Sequence, residues 1–472
     1  MKITLINPPY SLQERYGEKI PKDLQYTLPP LGLMYIASSL EKNNHEVSII
    51  DVPAYNYTIQ EIIEKIKQQN PKIVGITALT PTINNTLKLS KEIKQNLPDI
   101  LIVLGGAHPS GFPQKILEEN EFVDIIVIGE GELTFPELCD KIEKKKPLSI
   151  VKGIAYNYKN KIVINQKREY IKNLDEIPFP ARHLVPIKTK YKQLPYHYKK
   201  QPLVHMITSR GCPYGKCTFC FEAGRLGPYY RKRSPEDVVE EIKQVIKDYG
   251  AKEISFWDDN FVVGEKWIKK FNELLKKENI EISWSCSSRI DMLNEEILKE
   301  MKDAGCWTIF IGVESGDQDL LNRIKKGTNL EQIKQVVRMI QKHGIEIRAS
   351  FMLALPGETP EKAEKTIKFA IELDPDYAQF CTTSPYDGTE IYQDALASGS
   401  LLKNLDYYNS MTPAFIPGGY SSLDEVKKMQ EKAFRKFYMR PKFIYKKLKS
   451  IKSMDDVKRY YEGFKFYIGF TR

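Results

Sequence analysis

The chain has no stretch approaching the ~18 consecutive apolar residues of a membrane span. Its start, Met1-Lys-Ile-Thr-Leu-Ile, lacks the charged, apolar and small-residue zones of a secretory signal. Cysteine is scarce and odd in number, and three of the seven crowd into one short stretch. That pattern argues against a disulfide framework and predicts a reducing, cytoplasmic setting. No Gly-x-Gly-x-x-Gly follows the first apolar run, so the dinucleotide fingerprint is missing. From Lys432 to Lys452 there is no acidic residue, against nine Lys and Arg. The balance of 42% hydrophobic and 28% charged residues is that of an ordinary globular chain. At 472 residues it is long enough for two or three domains with their own cores. A formal charge of +10, mainly from lysine, suits an anionic partner or an anionic membrane surface.

What is present centres on Ser209-Arg-Gly-Cys-Pro-Tyr-Gly-Lys-Cys-Thr-Phe-Cys220, just after an apolar run that reads as a strand. Cys212, Cys217 and Cys220 can hold three irons of a cubane cluster and leave the fourth iron without a protein ligand. Soft thiolates suit such a cluster, and an open iron can activate a small molecule. A structural zinc site normally closes with four N or S ligands. No fourth cysteine lies nearby, and the nearest histidine, His205, sits upstream in the strand. The stretch resembles the signature of the radical S-adenosylmethionine (SAM) superfamily, Cys-x3-Cys-x2-Cys with an aromatic before the last cysteine, here Phe219. This chain has four residues between Cys212 and Cys217, with Gly215 inside the widened turn. Flanking Ser209-Arg210-Gly211-Cys212-Pro213 resembles the branch that carries an N-terminal cobalamin-binding domain. The resemblance implies a [4Fe–4S] cluster that chelates SAM at its open iron. One electron then cleaves the sulfonium to a deoxyadenosyl radical, which takes hydrogen from unactivated carbon.

Residues 1–148 alternate apolar runs (Lys2–Ile6, Val47–Asp51, Ile73–Thr77, Ile100–Leu104, Ile125–Ile128) with amphipathic segments (Leu33–Glu41, Ile59–Gln68, Thr86–Gln95). This predicts an α/β, doubly wound, Rossmann-like parallel sheet covered on both faces, with ligands bound beyond the carboxyl ends of its strands. That edge carries Thr77, Gly105-Gly106-Ala107-His108-Pro109 and Gly129-Glu130, which could equally be the tight turns such a sheet needs. The set resembles the cobalamin-binding domain, which implies that Thr77, Gly105, Gly106, His108, Gly129 and Glu130 line the corrin. The Asp-x-His-x-x-Gly motif that often supplies an axial ligand is absent, since Val52, Pro53 and Ala54 follow Asp51. No histidine is therefore expected on the lower face, and His108, in a His-Pro turn, reads as structural.

Residues 149–200 read as a linker with a hairpin (Ile154–Tyr158 and Lys161–Asn165), and 201–390 as a partial (β/α)6 TIM-type barrel. Its strands are predicted at Leu203–Thr208, Glu253–Trp257, Glu281–Ser285, Thr308–Val313, Glu346–Leu353 and Tyr377–Thr382. Ser234 and Pro235 can open its first helix and Gly250 can close it. The strand ends carry Asp258-Asp259-Asn260, Arg289, Glu314 and Leu355-Pro356-Gly357-Glu358. The family resemblance puts Asp258 or Asp259 on the methionine amino group of SAM, Arg289 on its carboxylate and Glu314 on its ribose, with the last turn shaping an adenine pocket. Cys286, Cys306 and Cys381 read as small buried hydrophobes, with a rim role left open for Cys286 because it follows a predicted strand.

Residues 391–472 are predicted to be a helical region. Its basic stretch is interleaved with Phe434, Phe437, Tyr438, Phe443, Ile444, Tyr445 and Leu448. It fits either a helical cap with solvated lysines or an amphipathic contact with an anionic membrane. Nucleic acid is not expected, since no RNA-binding motif is present. The family resemblance implies C-methylation, or C–C or ring formation, on a hydrophobic, lipid-like small molecule, with a ferredoxin or flavodoxin as electron donor. A methylthiotransferase acting on RNA or protein is the nearest rival. That group has a cysteine-bearing N-terminal domain, whereas this N-terminal half has only Cys139. A non-catalytic corrinoid carrier is the rival from another class.

Overall fold

The computed structural model describes residues 1–16, 26–221, 230–402, 404–405, 408–451 and 453–471. The chain divides into two compact units, one of Met1–Glu14 with Tyr26–Lys192, the other of Arg15–Gln25 with Gln193–Arg472.

In the first unit the strands β1 (Lys2–Asn7), β2 (Glu46–Asp51), β3 (Ile73–Thr77), β4 (Leu101–Gly105) and β5 (Ile125–Val127) pair in parallel in the order 2-1-3-4-5. Continuous apolar strands such as Ile73-Val-Gly-Ile suit a sheet buried on both faces. One helix, α1 (Leu31–Lys42), buries Leu33, Ala37 and Leu40 against that sheet's core. Another, α2 (Ile59–Gln69), opens on a capping box: Thr58 Oγ1 accepts from the Glu61 amide, and the Glu61 carboxylate accepts from the Thr58 amide at 2.8 Å. Strand order reverses between β1 and β3, so the crevice at their carboxyl ends is where such sheets bind ligands. The hairpin, read from the sequence as part of a linker, instead completes this sheet. Its strands β6 (Ile154–Tyr158) and β7 (Lys161–Ile164) continue antiparallel from β5, and Ile154 and Tyr156 are buried in the same core. Alternation signals a strand but not the sheet it will join.

In the second unit β8 (Leu203–Met206), β9 (Glu253–Phe256), β10 (Ser283–Ser288), β11 (Cys306–Glu314), β12 (Glu346–Leu353) and β13 (Tyr377–Thr382) pair in parallel in chain order. This is the expected six-stranded partial barrel. Its first helix, α3 (Pro235–Tyr249), is capped as predicted: Ser234 Oγ accepts from the Asp237 amide, and Gly250 ends the helix at φ +66°. The third strand lies two to three residues later than expected, because Ser-Trp-Ser-Cys-Ser-Ser has no β-branched residue and no hydrophobic alternation to mark it. Cys286 therefore lies within β10 and is buried, and Cys306 opens β11, also buried. The rim role left open for Cys286 is withdrawn.

Helix α4 (Leu423–Tyr438) covers the edge strand β13, where a bare edge would invite mispairing. Gln430 Nε2 donates to the Phe380 carbonyl at 2.8 Å, Tyr438 Oη donates to the Ala378 carbonyl at 2.8 Å, and the Ala378 amide donates back at 3.1 Å. Phe434 and Phe437 pack on Phe380. So the first half of the basic stretch is a cap. The second half, α5 (Pro441–Lys449), leaves Ile444, Tyr445 and Leu448 exposed. A last helix, α6, spans Met454–Thr471.

Candidate active site

The cysteine loop follows β8 at the carboxyl end of the second sheet. All three thiols are half-buried. Among the described residues, no group of three or more His, Cys, Asp or Glu converges to hold a single ion.

Asp258 anchors the loop's entry. Its Oδ1 accepts from the amides of Thr208 (2.7 Å) and Ser209 (3.1 Å), and its Oδ2 accepts from the Thr208 hydroxyl. Burial pushes this carboxyl up, opposed by the Lys232 ammonium and the Thr208 bonds. Asp259, exposed, accepts at Oδ2 from the Gly211 amide at 3.1 Å. Asn260 accepts from the Arg289 amide at 2.9 Å. The acidic pair thus divides: one carboxylate is spent on backbone, the other faces out beside Gly211.

Arg289 does not present a free fork. Its Nε and Nη2 both donate to the Asp291 carboxylate at 2.9 Å, and Nη2 also reaches the Lys326 carbonyl at 2.9 Å. The remaining nitrogen, Nη1, points at Cys217 Sγ at 3.6 Å, and the guanidinium stacks 3.7 Å from the Tyr214 ring centroid. The expected grip on a ligand carboxylate is therefore not what this side chain is arranged for.

A second support was not legible in the sequence, the turn at residues 324–328. The Thr218 amide donates to the Ile324 carbonyl at 3.1 Å and Tyr214 Oη to the Lys325 carbonyl at 2.8 Å. Gly327, at φ +75°, lets the turn close, since a Cβ there would lie 2.2 Å from the Tyr214 hydroxyl. From this turn Lys326 Nζ donates to Glu314 Oε1 at 2.7 Å, and both side chains are buried, 7% and 9% exposed. Glu314 ends β11 at φ +68°, a conformation rare outside glycine. The same ammonium lies 5.9 Å from the Phe219 ring centroid. Burial pushes the Cys217 thiol up, while Lys326 and Arg289 pull it back down. Two cations beside one thiolate suit an anionic cluster.

Glu358 lies beneath the turn after β12. Its Oε1 accepts from the Ala354 amide at 2.6 Å and from the Tyr420 hydroxyl at 3.0 Å, and it is fully buried. Burial raises it from an ordinary 4.5 to about 8. The folded state keeps a proton that the unfolded chain sheds above 4.5, so this group's contribution is fully present below pH 4.5 and lost as pH climbs through 8. Glu358→Gln keeps both acceptor contacts without the charge. It is expected to remove that slope and to raise stability at pH 8 by about 1–3 kcal/mol, read by thermal unfolding at pH 5 and pH 8.

In the first unit, Thr77 ends β3 opposite Gly105, which ends β4. Gly106, at φ +99°, lies so close that a Cβ would come within 2.6 Å of the Ala78 carbonyl. Gly105 and Gly129 would meet nothing within 4 Å, so they border open space at the switch-point edge. This bare, glycine-edged cradle fits a large flat ligand. Not every expected residue joins it. His108 is buried, with Nδ1 3.1 Å from Thr80 Oγ1 and its ring on Phe112. Glu130 turns its Oε2 to the Ile171 amide at 2.8 Å. Asp51 is buried, held by Asn7 (2.8 Å) and Tyr191 (2.6 Å). Gly105→Leu fills the cradle without a backbone clash. It is expected to weaken cobalamin binding by about tenfold or more, by analogy with core overpacking, with the melting temperature of the cobalamin-free protein unchanged.

The Radical SAM superfamily model matches residues 206–370, and the B12 binding domain model matches residues 21–139. An uncharacterized methyltransferase of Pyrococcus horikoshii is 37% identical over 447 residues, 94% of each chain. The chain belongs to the radical SAM superfamily, in the branch with a B12-binding domain. Other relatives of this radical SAM enzyme include the anaerobic magnesium-protoporphyrin IX monomethyl ester cyclase of Rubrivivax gelatinosus, 29% identical over 428 residues (88% of this chain, 75% of the relative). The solved structure of TsrM, a radical SAM methyltransferase from Kitasatospora setae with cobalamin and a [4Fe–4S] cluster bound, shares the fold. Its TM-score is 0.72 at 16% identity, over 99% of this chain and 98% of that one. The cofactors of the radical SAM enzyme described here are accordingly a [4Fe–4S] cluster, SAM and cobalamin, and its relatives include methyltransferases and a cyclase, consistent with C-methylation or ring formation.

Proposed function

We propose that the enzyme methylates an unactivated carbon of an apolar, lipid-like small molecule. One observation carries this reading: the chain joins a three-cysteine loop flanked by two cations to a sheet with a glycine-edged cradle. When bound, the cofactors supply a carbon-centred radical from SAM and a methyl group, or an electron acceptor, from cobalamin. The protein supplies position and water exclusion. We assign Cys212, Cys217 and Cys220 to the cluster and Asp259, rather than the spent Asp258, to the methionine ammonium. Glu314 is assigned to the ribose, with Lys326 fixing its carboxylate. Arg289 is assigned to the Cys217 thiolate instead of the methionine carboxylate. Thr77, Gly105, Gly106 and Gly129 are assigned to the corrin. A low-potential ferredoxin or flavodoxin is the proposed electron donor.

Against a methylthiotransferase, Cys139 is buried in the helix Gly131–Glu143, and burial pushes its thiol far above the range of a ligand. Among the described residues no helix is long and apolar enough to cross a membrane. The exposed Ile444, Tyr445 and Leu448, set among Lys442, Lys446 and Lys449, support peripheral contact with anionic lipid (Lys452 lies outside the described residues). Mass spectrometry of metabolites and lipids from a deletion strain tests the function. Expected is a compound lighter by one methyl group; a difference of two hydrogens would assign ring or C–C formation instead.

A further inference from the structure

The second unit has an apolar cavity of about 380 Å³, open to solvent on one side, between its sheet and the C-terminal helices. Phe310, Arg348 and Tyr377 stand in register across β11, β12 and β13 and line its wall. They lie on the face opposite the fully buried Ile347, Ala349 and Phe351, so the cavity is on the inner side of the barrel sheet. Most of its lining is aromatic and aliphatic, yet three cations, Arg348, Lys447 and Arg459, line it and no carboxylate does.

Of the neighbouring acids, Asp456 already pairs with Arg459 at 3.0 Å, and Arg459 also donates to the Tyr198 carbonyl at 2.9 Å, while the others are engaged outside the cavity. Asp376 pairs with Lys446 at 2.9 Å and Glu346 with Lys199 at 2.8 Å. Lys447 makes no ion pair among the described residues. Its ammonium lies 3.7 Å from the Tyr377 ring centroid and 5.5 Å from that of Phe443. Apolar surroundings pull it down to about 8. A half-buried cation held by aromatic faces, beside two guanidinium groups, lacks a counter-charge.

We propose that this cavity binds an amphiphile through a phosphate or carboxylate headgroup seated on Lys447 beside Arg348, with its apolar chain in the aromatic lining. The proposal deepens the lipid-like substrate reading and rests on it only where the ligand is taken to be the substrate. The cavity lies at the amino ends of the strands, opposite the cysteine loop. Five residues of β12 separate Arg348 from Leu353, which at ~3.3 Å per residue is roughly 16 Å. Along that path the inward Ser350, Met352, Gln379 and Cys381 are only half-buried, so they do not close the lumen. A headgroup at Arg348 therefore places the reacting carbon far along the chain.

The test is calorimetric titration of the anaerobically reconstituted full-length enzyme with dodecyl phosphate below its micelle concentration. Dodecyl maltoside, inorganic phosphate and phosphatidylglycerol vesicles form separate arms. Expected is one dodecyl phosphate per chain, with the neutral amphiphile and inorganic phosphate weaker by about tenfold or more. Arg348→Gln and Lys447→Gln are expected to lose a similar factor, and Lys447→Arg to retain binding. Equal affinity for the neutral headgroup overturns the proposal, as do Gln variants that bind like the parent. Saturation by vesicles alone also overturns it, and assigns the charge to a membrane-docking face. Cys217→Ala should bind dodecyl phosphate like the parent, so a failed cavity shows as lost probe binding and a failed radical reading as absent deoxyadenosine.

Discussion

Replacing Lys326 by methionine is expected to lower the unfolding free energy by about 3–5 kcal/mol, because it leaves the Glu314 carboxylate buried without its counter-charge. The ion pair is short, 2.7 Å, and both side chains are less than a tenth exposed, so solvent cannot take over when one partner leaves. Removing both charges in Glu314→Gln/Lys326→Met is expected to restore most of that loss, since a neutral pair of similar size escapes the desolvation cost. Denaturant unfolding of the parent, Lys326→Met, Glu314→Gln and the double variant closes the cycle. Activity should not follow stability. The double variant lacks both the carboxylate assigned to the ribose and the ammonium beside Cys217, so its SAM cleavage should stay lost although its fold is recovered. Recovery of both together would make the pair purely structural. Gly312 is bound to the same arrangement, since a Cβ there would lie 2.3 Å from Glu314 Oε1 and 2.8 Å from Lys326 Nζ.

That pair also marks where sequence reading stops. The cysteine loop was legible because its three cysteines lie within nine residues, just after one strand. The caps of α3 and the extents of β12 and β13 were legible for the same reason: Ser-Pro, Gly and alternating burial act over a few residues. Lys326 carries no local mark. It sits in a turn after a short helix, and only the folded sheet brings it to Glu314 and Cys217. The sequence offered Asp258 and Asp259 as equals, and only hydrogen bonding to Thr208, Ser209 and Gly211 separates them. Arg289 was assigned by its place after a strand, but Asp291, two residues on, takes its fork. The hairpin at residues 154–164 formed as read, but its place in the first sheet was missed for a related reason, because pairing with β5 is a long-range choice. Gly106 and Gly129 lie in the turns after β4 and β5, where the sequence put them, whereas His108 and Glu130 beside them turn to Thr80 and Ile171. Polar side chains in a turn choose partners that the turn itself does not announce.

The central claim is that three thiolates hold a cluster with one open iron at which SAM is cleaved. On that claim each thiolate ligates a different iron, so losing Cys217 should cost the cluster its integrity rather than a fraction of its rate. The side chain is half-buried beside Arg289 and Lys326, and an alanine there removes the sulfur that both cations favour as a thiolate. The most direct test is iron content and deoxyadenosine formation from SAM, measured under strict anaerobiosis with a low-potential reductant, for the parent and for Cys212→Ala, Cys217→Ala and Cys220→Ala. The parent should carry about four irons per chain and form deoxyadenosine, while each variant should lose iron and fall to background. Zinc in the loop of the parent, or Cys217→Ala forming deoxyadenosine at the parental rate, would contradict the account.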